Sequence, residues 1–215
     1  MNLLTVTAKG QVTLRKDLLQ HLGVHPGEQI RLDKLPDGRI EVTAARPGAG
    51  IDKVFGLLKR QGGACAVDRG HRSSRGGGMG QPAVKITADT NLLVRALTED
   101  DPRQGRLAQG ELAAADLVAL TLPALCELVW VLARGYGIPA AEISLAIRQL
   151  IDSANVTTDR AAVEAGLALL DAGGDFADGV IAYQGRWLGA DAFVSFDRQA
   201  VTLMEASGVP ARLLF

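Results

Sequence analysis

At 215 residues, with 47% apolar and 22% charged side chains, the chain has room for one large or two small domains and enough apolar material to bury a core. No run of about 18 apolar residues occurs, which excludes an ordinary membrane-spanning helix; Cys65 and Cys126 lie far apart with no CxxC spacing, and no charged leader precedes an apolar segment, so the expectation is a cytoplasmic protein with free thiols. The net charge of -1 hides two opposed parts: residues 1–82 carry 13 Lys and Arg against 7 Asp and Glu, whereas residues 83–215 carry 10 against 17. The first part suits a polyanion, and the second suits a metal site or a basic partner.

Residues 2–8 alternate loosely and predict a strand, and QVTL (11–14), after the Lys9-Gly10 turn, predicts another. Arg15 to Leu22 reads as one or two helical turns with Leu18, Leu19 and Leu22 on one side and Gly23 as the stop. Residues 24–44 read as a hairpin around Pro36-Asp37-Gly38. A unit of this size buries too little core alone, so a dimer is expected. The stretch VTAKGQVTLRKDLLQHLGVHPGEQIRL resembles the SpoVT-AbrB DNA-binding fold, the swapped-hairpin dimer of VapB and MazE antitoxins, over residues 1–46. That resemblance implies that Lys9, Gln11, Thr13, Arg15 and Lys16 face operator DNA. The proline usual after the TL step is replaced here by Arg15, and the competing reading is that Lys9, Arg15 and Lys16 only solvate a face. Phosphate contacts from such residues give salt-dependent affinity, while base contacts fall to Gln11, Thr13 or Arg15.

Residues 47–61 contain IDKVFGLLKRQ, an amphipathic piece with Ile51, Val54, Phe55 and Leu58 on one face and Lys59-Arg60 closing it. Eleven residues do not hold a helix in water without a surface to lie on. By the VapB resemblance this is an inhibitory segment that packs in a toxin groove through Phe55, Leu58, Lys59 and Arg60. In that reading Arg60 enters an acidic site, with Lys59, Arg69 and Arg72 as further candidates; the alternative is a linker piece packed on its own domain. Residues 62–83 are rich in Gly, Ser and Arg without periodicity and predict a flexible linker, in which His71 is a solvated loop residue. Met79 stands where a separate second chain would begin, as if two chains that usually stand apart were joined in one reading frame.

The stretch VKITADTNLLVRAL (84–97) predicts a buried strand ending at Asp89 and then a helix, with Thr90 and Asn91 able to cap it. A residue at the carboxyl end of a parallel strand faces the crevice where open α/β sheets bind ligands. Glu127 interrupts the apolar helix LPALCELVWVL, Asp175 and Asp178 open the helix in GGDFADGVIAYQG, and AFVSFD repeats the strand-then-acid pattern with Asp197. Gathered carboxylates repel and raise one another's pKa, so their convergence calls for a cation, and hard oxygen ligands suit Mg2+ or Mn2+. The competing reading is a set of unrelated caps and surface acids.

These four contexts resemble the acidic motifs of PIN-domain ribonucleases, in particular VapC toxins, over residues 84–215. The resemblance implies metal-binding, catalytic acids at Asp89, Glu127, Asp178 and Asp197, an accessory Asp175, and hydrogen-bonding support from Thr90, Asn91 and Ser195. The remaining elements alternate: helices at 103–115, 124–136, 140–153, 160–170, 178–188 and 199–207, and strands at 117–120, 156–158, 193–196 and 212–214. The fold class is therefore α/β, a PIN-like parallel sheet flanked by helices with a small β-rich domain ahead of it. Gly166, Gly173, Gly174 and Gly179 form no GxGxxG between strand and helix, which argues against a nucleotide cofactor. The function expected is a metal-dependent endoribonuclease acting on RNA, held inhibited by its tethered antitoxin segment, oligomeric through both domains, with Arg95, Arg134, Arg186 and Arg198 attracting substrate. The alternative is a transcriptional regulator whose PIN part is a non-cleaving co-repressor.

Overall fold

The computed structural model describes residues 4–22, 24, 27, 30–34, 40–44, 50–59 and 83–215. Arg60, Cys65, Arg69, His71, Arg72, Met79, Gly23 and the 36–38 turn lie outside them, as does most of the expected linker. The chain divides into two compact units, Met1–Pro47 and Gly48–Phe215.

In the first unit, α1 (Lys16–Leu22) lies against a hairpin of β1 (Ile30–Lys34) and β2 (Ile40–Ala44), antiparallel with Lys34 opposite Ile40. The strands expected at 2–8 and 11–14 are not formed among the described residues. A strand needs a ladder, and among the described residues the bonds here are those of the turn, with Thr7 N donating to Gln11 O at 2.9 Å and Gly10 N to Thr7 O at 2.8 Å. Gly10 makes that reversal at φ +74°, where a side chain would be strained. Leu4, Val6, Val12, Leu32 and Ile40 are left exposed.

The second unit is built on three parallel strands, β3 (Lys85–Ala88), β4 (Leu117–Leu120) and β5 (Val156–Thr157), in the order β3-β4-β5, with Ala88 opposite Leu120. A separate parallel pair, β6 (Phe193–Ser195) and β7 (Ala211–Leu213), lies at the other end of the chain. The connecting helices are α2 (Thr90–Thr98), α3 (Pro102–Ala114), α4 (Leu122–Trp130), α5 (Ala140–Ile151), α6 (Arg160–Asp171), α7 (Phe176–Trp187) and α8 (Arg198–Ala206). The sequence predicts one helix from Ala124 to Tyr136; instead α4 gives way to a wider π turn over Val131–Gly135, closed by Tyr136 N on Val131 O. Leu93, Leu97, Leu125, Leu128, Ile143, Ile147 and Leu167 form the core between helices and sheet. The helix α5 is tied to α6 by Arg148 and Ser144, which meet the two oxygens of Asp171 at 2.7 and 2.6 Å.

Residues 50–59, here termed the strap, belong to this second unit. They form a single 3-10 turn, Ile51–Val54, and then further turns. Ile51, Val54 and Leu58 are buried in the main core, and the strap packs against α3 and α5. Gly56 N donates to Ala96 O at 2.9 Å and Leu58 N to Leu97 O at 3.0 Å, so the strap satisfies carbonyls that the C-terminus of α2 leaves open. Beyond that end, Glu99 takes a left-handed conformation, φ 49°, and its carboxylate receives Lys59 Nζ at 2.8 Å and Gln109 Nε2 at 2.7 Å. Gly56 turns the strap at φ +64°, a left-handed conformation in which a side chain would be strained. Burying three aliphatic side chains contributes roughly 1.5–3 kcal/mol apiece, which makes the strap part of the fold's stability.

Candidate metal centre

Three of the acids singled out in the sequence sit at helix starts, because each ends a strand or loop where backbone N–H groups point outward. Asp89 caps α2, its Oδ1 accepting from Leu92 N at 2.8 Å. Asp175 caps α7 through Ala177 N at 2.7 Å, and Asp197 caps α8 through Gln199 N and Ala200 N at 2.8 and 3.1 Å. Each uses one oxygen as a cap and makes no hydrogen bond through the other among the described residues. Capping and metal binding are therefore compatible roles for the same side chain.

Glu127 lies on the exposed side of α4, which starts with Thr121 as cap and Pro123 in the first turn. It receives a hydrogen bond from Thr90 Oγ1 at 2.7 Å. The Thr90 side chain is 7% exposed, and Ala124 O stands farther off, at 3.4 Å, so its one proton is directed to the carboxylate. The bond carries the position next to Asp89 across to α4. The helix α4 in turn packs on α7, and the Cys126 thiol, pushed up by burial and then by the charge of Asp175, marks the approach of these two helices.

Asp178, in the first turn of α7, is half-buried; its carboxyl is pushed above the ordinary range by burial first and then by Asp175 and Asp197. Acids from α7 and α8 thus share one neighbourhood. Ser195 Oγ accepts from Asp197 N at 3.0 Å and shapes that turn. Asn91 is exposed and makes no side-chain hydrogen bond among the described residues.

Sequence reasoning missed two devices that position these acids. Gln199 Nε2 donates to Gly173 O at 2.8 Å and stitches the start of α8 to the lead-in of α7; a glutamine two residues past an acid gives no signal of this. Gly166 and Gly179 bring α6 and α7 into backbone contact: a Cβ on Gly179 would stand 2.5 Å from Ala165 O, and one on Gly166 2.7 Å from the Phe176 ring. Here the signal was present, since glycine inside a helical pattern points to close packing.

Two expectations change. Arg95 is committed to Asp100, which also receives Tyr136 Oη at 2.7 Å, so it is not open to substrate; Arg134, Arg186 and Arg198 are exposed and make no ion pair among the described residues. Lys59 is paired with Glu99, beyond the C-terminal end of α2, while Asp89 caps its N-terminus. A nine-residue helix separates them by about 14 Å, so Lys59 lies at the end of α2 away from Asp89.

Among the described residues, no group of three or more acidic, His or Cys side chains closes to metal-holding distance. The donor set nonetheless fits a hard divalent cation. It consists of carboxylate oxygens, and Asp178 sits beside two like charges, Asp175 and Asp197. No helix is long and apolar enough to cross a membrane among the described residues.

The PIN domain family model matches residues 86–203, which take in all five acids. No curated protein matches the chain.

Proposed function

The chain belongs to the PIN-domain family, whose members are generally nucleases dependent on divalent metal ions, and from that premise we propose that it is an endoribonuclease working at the Asp89–Glu127–Asp178–Asp197 cluster. Asp89, Glu127, Asp178 and Asp197, with Asp175 as an accessory, are the groups that would hold Mg2+ or Mn2+. Such an ion would lower the pKa of an attacking water and offset charge on the scissile phosphate. The chain's own contribution is orientation. Thr90 aims Glu127, helix-start amides hold one oxygen of Asp89, Asp175 and Asp197, and Ser195 fixes the turn before α8. The observation that carries this reading is the Thr90–Glu127 bond, which joins residues 37 apart and puts the Asp89 turn beside the acid-bearing face of α4.

The test is cleavage of a structured RNA by the whole chain and by residues 48–215, with Mg2+ and with EDTA. Metal-dependent turnover that falls at least about 100-fold in Asp89→Ala is expected. No turnover by either protein under any metal condition overturns the proposal.

The finer reading is a toxin-antitoxin fusion in which the first unit binds operator DNA and the strap restrains the nuclease. It is supported by the exposure of Lys9, Gln11, Thr13, Arg15 and Lys16, by the excess positive charge of residues 1–82, and by the burial of Ile51, Val54 and Leu58. Because Lys59 is bonded to Glu99, restraint through it acts on α2 from the end opposite Asp89. Lys59→Met should then raise RNA cleavage by the whole chain, and unchanged cleavage removes the strap from regulation. A second reading, a DNA-binding regulator whose PIN part does not cleave, is favoured by the lack of a closed metal group among the described residues. It wins if Asp89→Ala changes neither metal binding nor RNA turnover while the chain still shifts its operator.

A further inference from the structure

We propose that Phe196 is a base-stacking residue, the floor of a single-stranded RNA subsite directly beside the acidic cluster; this rests on the nuclease reading above. An aromatic ring on a loop gains nothing from water, yet Phe196 is 76% exposed. It is also the residue immediately before Asp197, so whatever lies on its ring is one residue from a candidate catalytic acid.

The pairing of β6 and β7 explains why the ring is outside. Phe193 stands opposite Ala211, Val194 opposite Arg212 and Ser195 opposite Leu213, and Leu214 N donates to Ser195 O at 2.9 Å to carry the register one step on. Strand side chains alternate, so Val194 and Arg212 share one face of the ribbon, and Phe196 and Leu214, just past the strand ends, continue the same alternation of exposure. All four are exposed, whereas Phe193, Ser195, Ala211 and Leu213 on the other face are half-buried. The outward face is thus an apolar platform with a cation at one corner.

The charge pattern selects the occupant. In a part of the chain with 17 acids against 10 Lys and Arg, the platform carries Arg212, and Arg198 follows Asp197; neither makes an ion pair among the described residues. An aromatic floor with the Arg212 guanidinium at its corner fits a nucleotide, whose base stacks while a phosphate meets the arginine. Consecutive Cα atoms stand about 3.8 Å apart, so a nucleotide whose base lies on Phe196 has its phosphodiester within reach of Asp197 although the two side chains leave the chain in opposite directions.

The experiment uses the whole chain and a fluorescein-labelled single-stranded eight-nucleotide RNA, with anisotropy read in EDTA so that no cleavage intervenes. Phe196→Ala and Phe196→Leu should both weaken binding roughly 5- to 100-fold, and Phe196→Trp should restore it, because stacking needs a ring and not merely apolar bulk. An oligomer of the same length lacking bases should bind all four proteins alike. Wild-type-like binding by Phe196→Ala or Phe196→Leu, no measurable binding by the wild type, or a change in oligomeric state with binding unchanged overturns the proposal; the last would make this face a contact between copies. Cleavage assayed in parallel with Mg2+ separates the two readings. If the wild type cleaves and Phe196→Ala binds normally, only the platform fails; if nothing cleaves but Phe196→Ala loses binding, only the nuclease reading fails.

Discussion

Thr90 gives its hydroxyl proton to Glu127 across a 2.7 Å contact that is closed to solvent on the threonine side. The bond links the first turn of α2 to the middle of α4, and it sits between the apolar core and the exposed carboxylates. Of the two acceptors near this buried hydroxyl, Glu127 is much the closer, so the bond orients the glutamate.

Thr90→Val keeps the shape and removes the proton. Stability should fall by about 1 kcal/mol, the usual cost of one such bond. Metal affinity and RNA turnover should fall roughly 10- to 100-fold, as for other groups that orient a ligand. Mg2+ titration by calorimetry and a cleavage assay check both, and an unaltered metal affinity removes the positioning role.

Leu58→Ala tests the strap as part of the core. The side chain is buried in the main core, so the cavity should cost about 2–4 kcal/mol in urea unfolding. For the same reason residues 80–215, which lack Ile51, Val54 and Leu58, should unfold at lower urea than residues 48–215. Equal midpoints for the two fragments would show the strap to be dispensable to the fold.

Gly179→Ala should separate α6 from α7. The added Cβ meets backbone, Ala165 O at 2.5 Å and Gly166 Cα at 2.8 Å, and backbone has no rotamer to turn aside. A loss of about 2 kcal/mol or more is expected, together with lower nuclease activity, because Asp178 is the neighbouring residue. Thermal melts and cleavage rates report the two effects separately.

Acid should weaken the protein through three structural carboxylates. Lys59 and then Gln109 hold Glu99 below its ordinary 4.5. In Asp100 and Asp171 burial pushes the other way but is outweighed, by Arg95 and Tyr136 at Asp100 and by Ser144 and Arg148 at Asp171, below the ordinary 3.8. The native state then binds fewer protons than the unfolded chain, so this stabilisation is full above about pH 4.5 and fades as pH falls through the native values. Lys59→Met should flatten the acid limb of a stability-against-pH curve; a limb as steep as the wild type's would exclude Glu99 as a contributor.

Much of the second unit was legible in one dimension because local chemistry decides it. Asp89 and Asp197 each follow a short apolar strand and precede a helical pattern, and β4 was read to the residue because Leu117–Leu120 is a short apolar run between helical patterns. The first unit was less legible. Its outer segments alternate like strands, but alternation names a face and not a partner, and the described residues supply no ladder for them.

The order of acids along the chain, the helices that carry them and the opposed charges of the two parts follow from the sequence alone, since each depends on neighbours within a turn or a strand. Which groups meet was decided by the tertiary structure: Thr90 with Glu127, Gln199 with the Gly173 carbonyl, Arg95 with Asp100, and Lys59 with Glu99. Spacing along a chain fixes a side chain's direction on its own element. Its partner is set by how elements pack, through contacts such as the glycine-lined approach of α6 and α7 and the strap's seat on the end of α2.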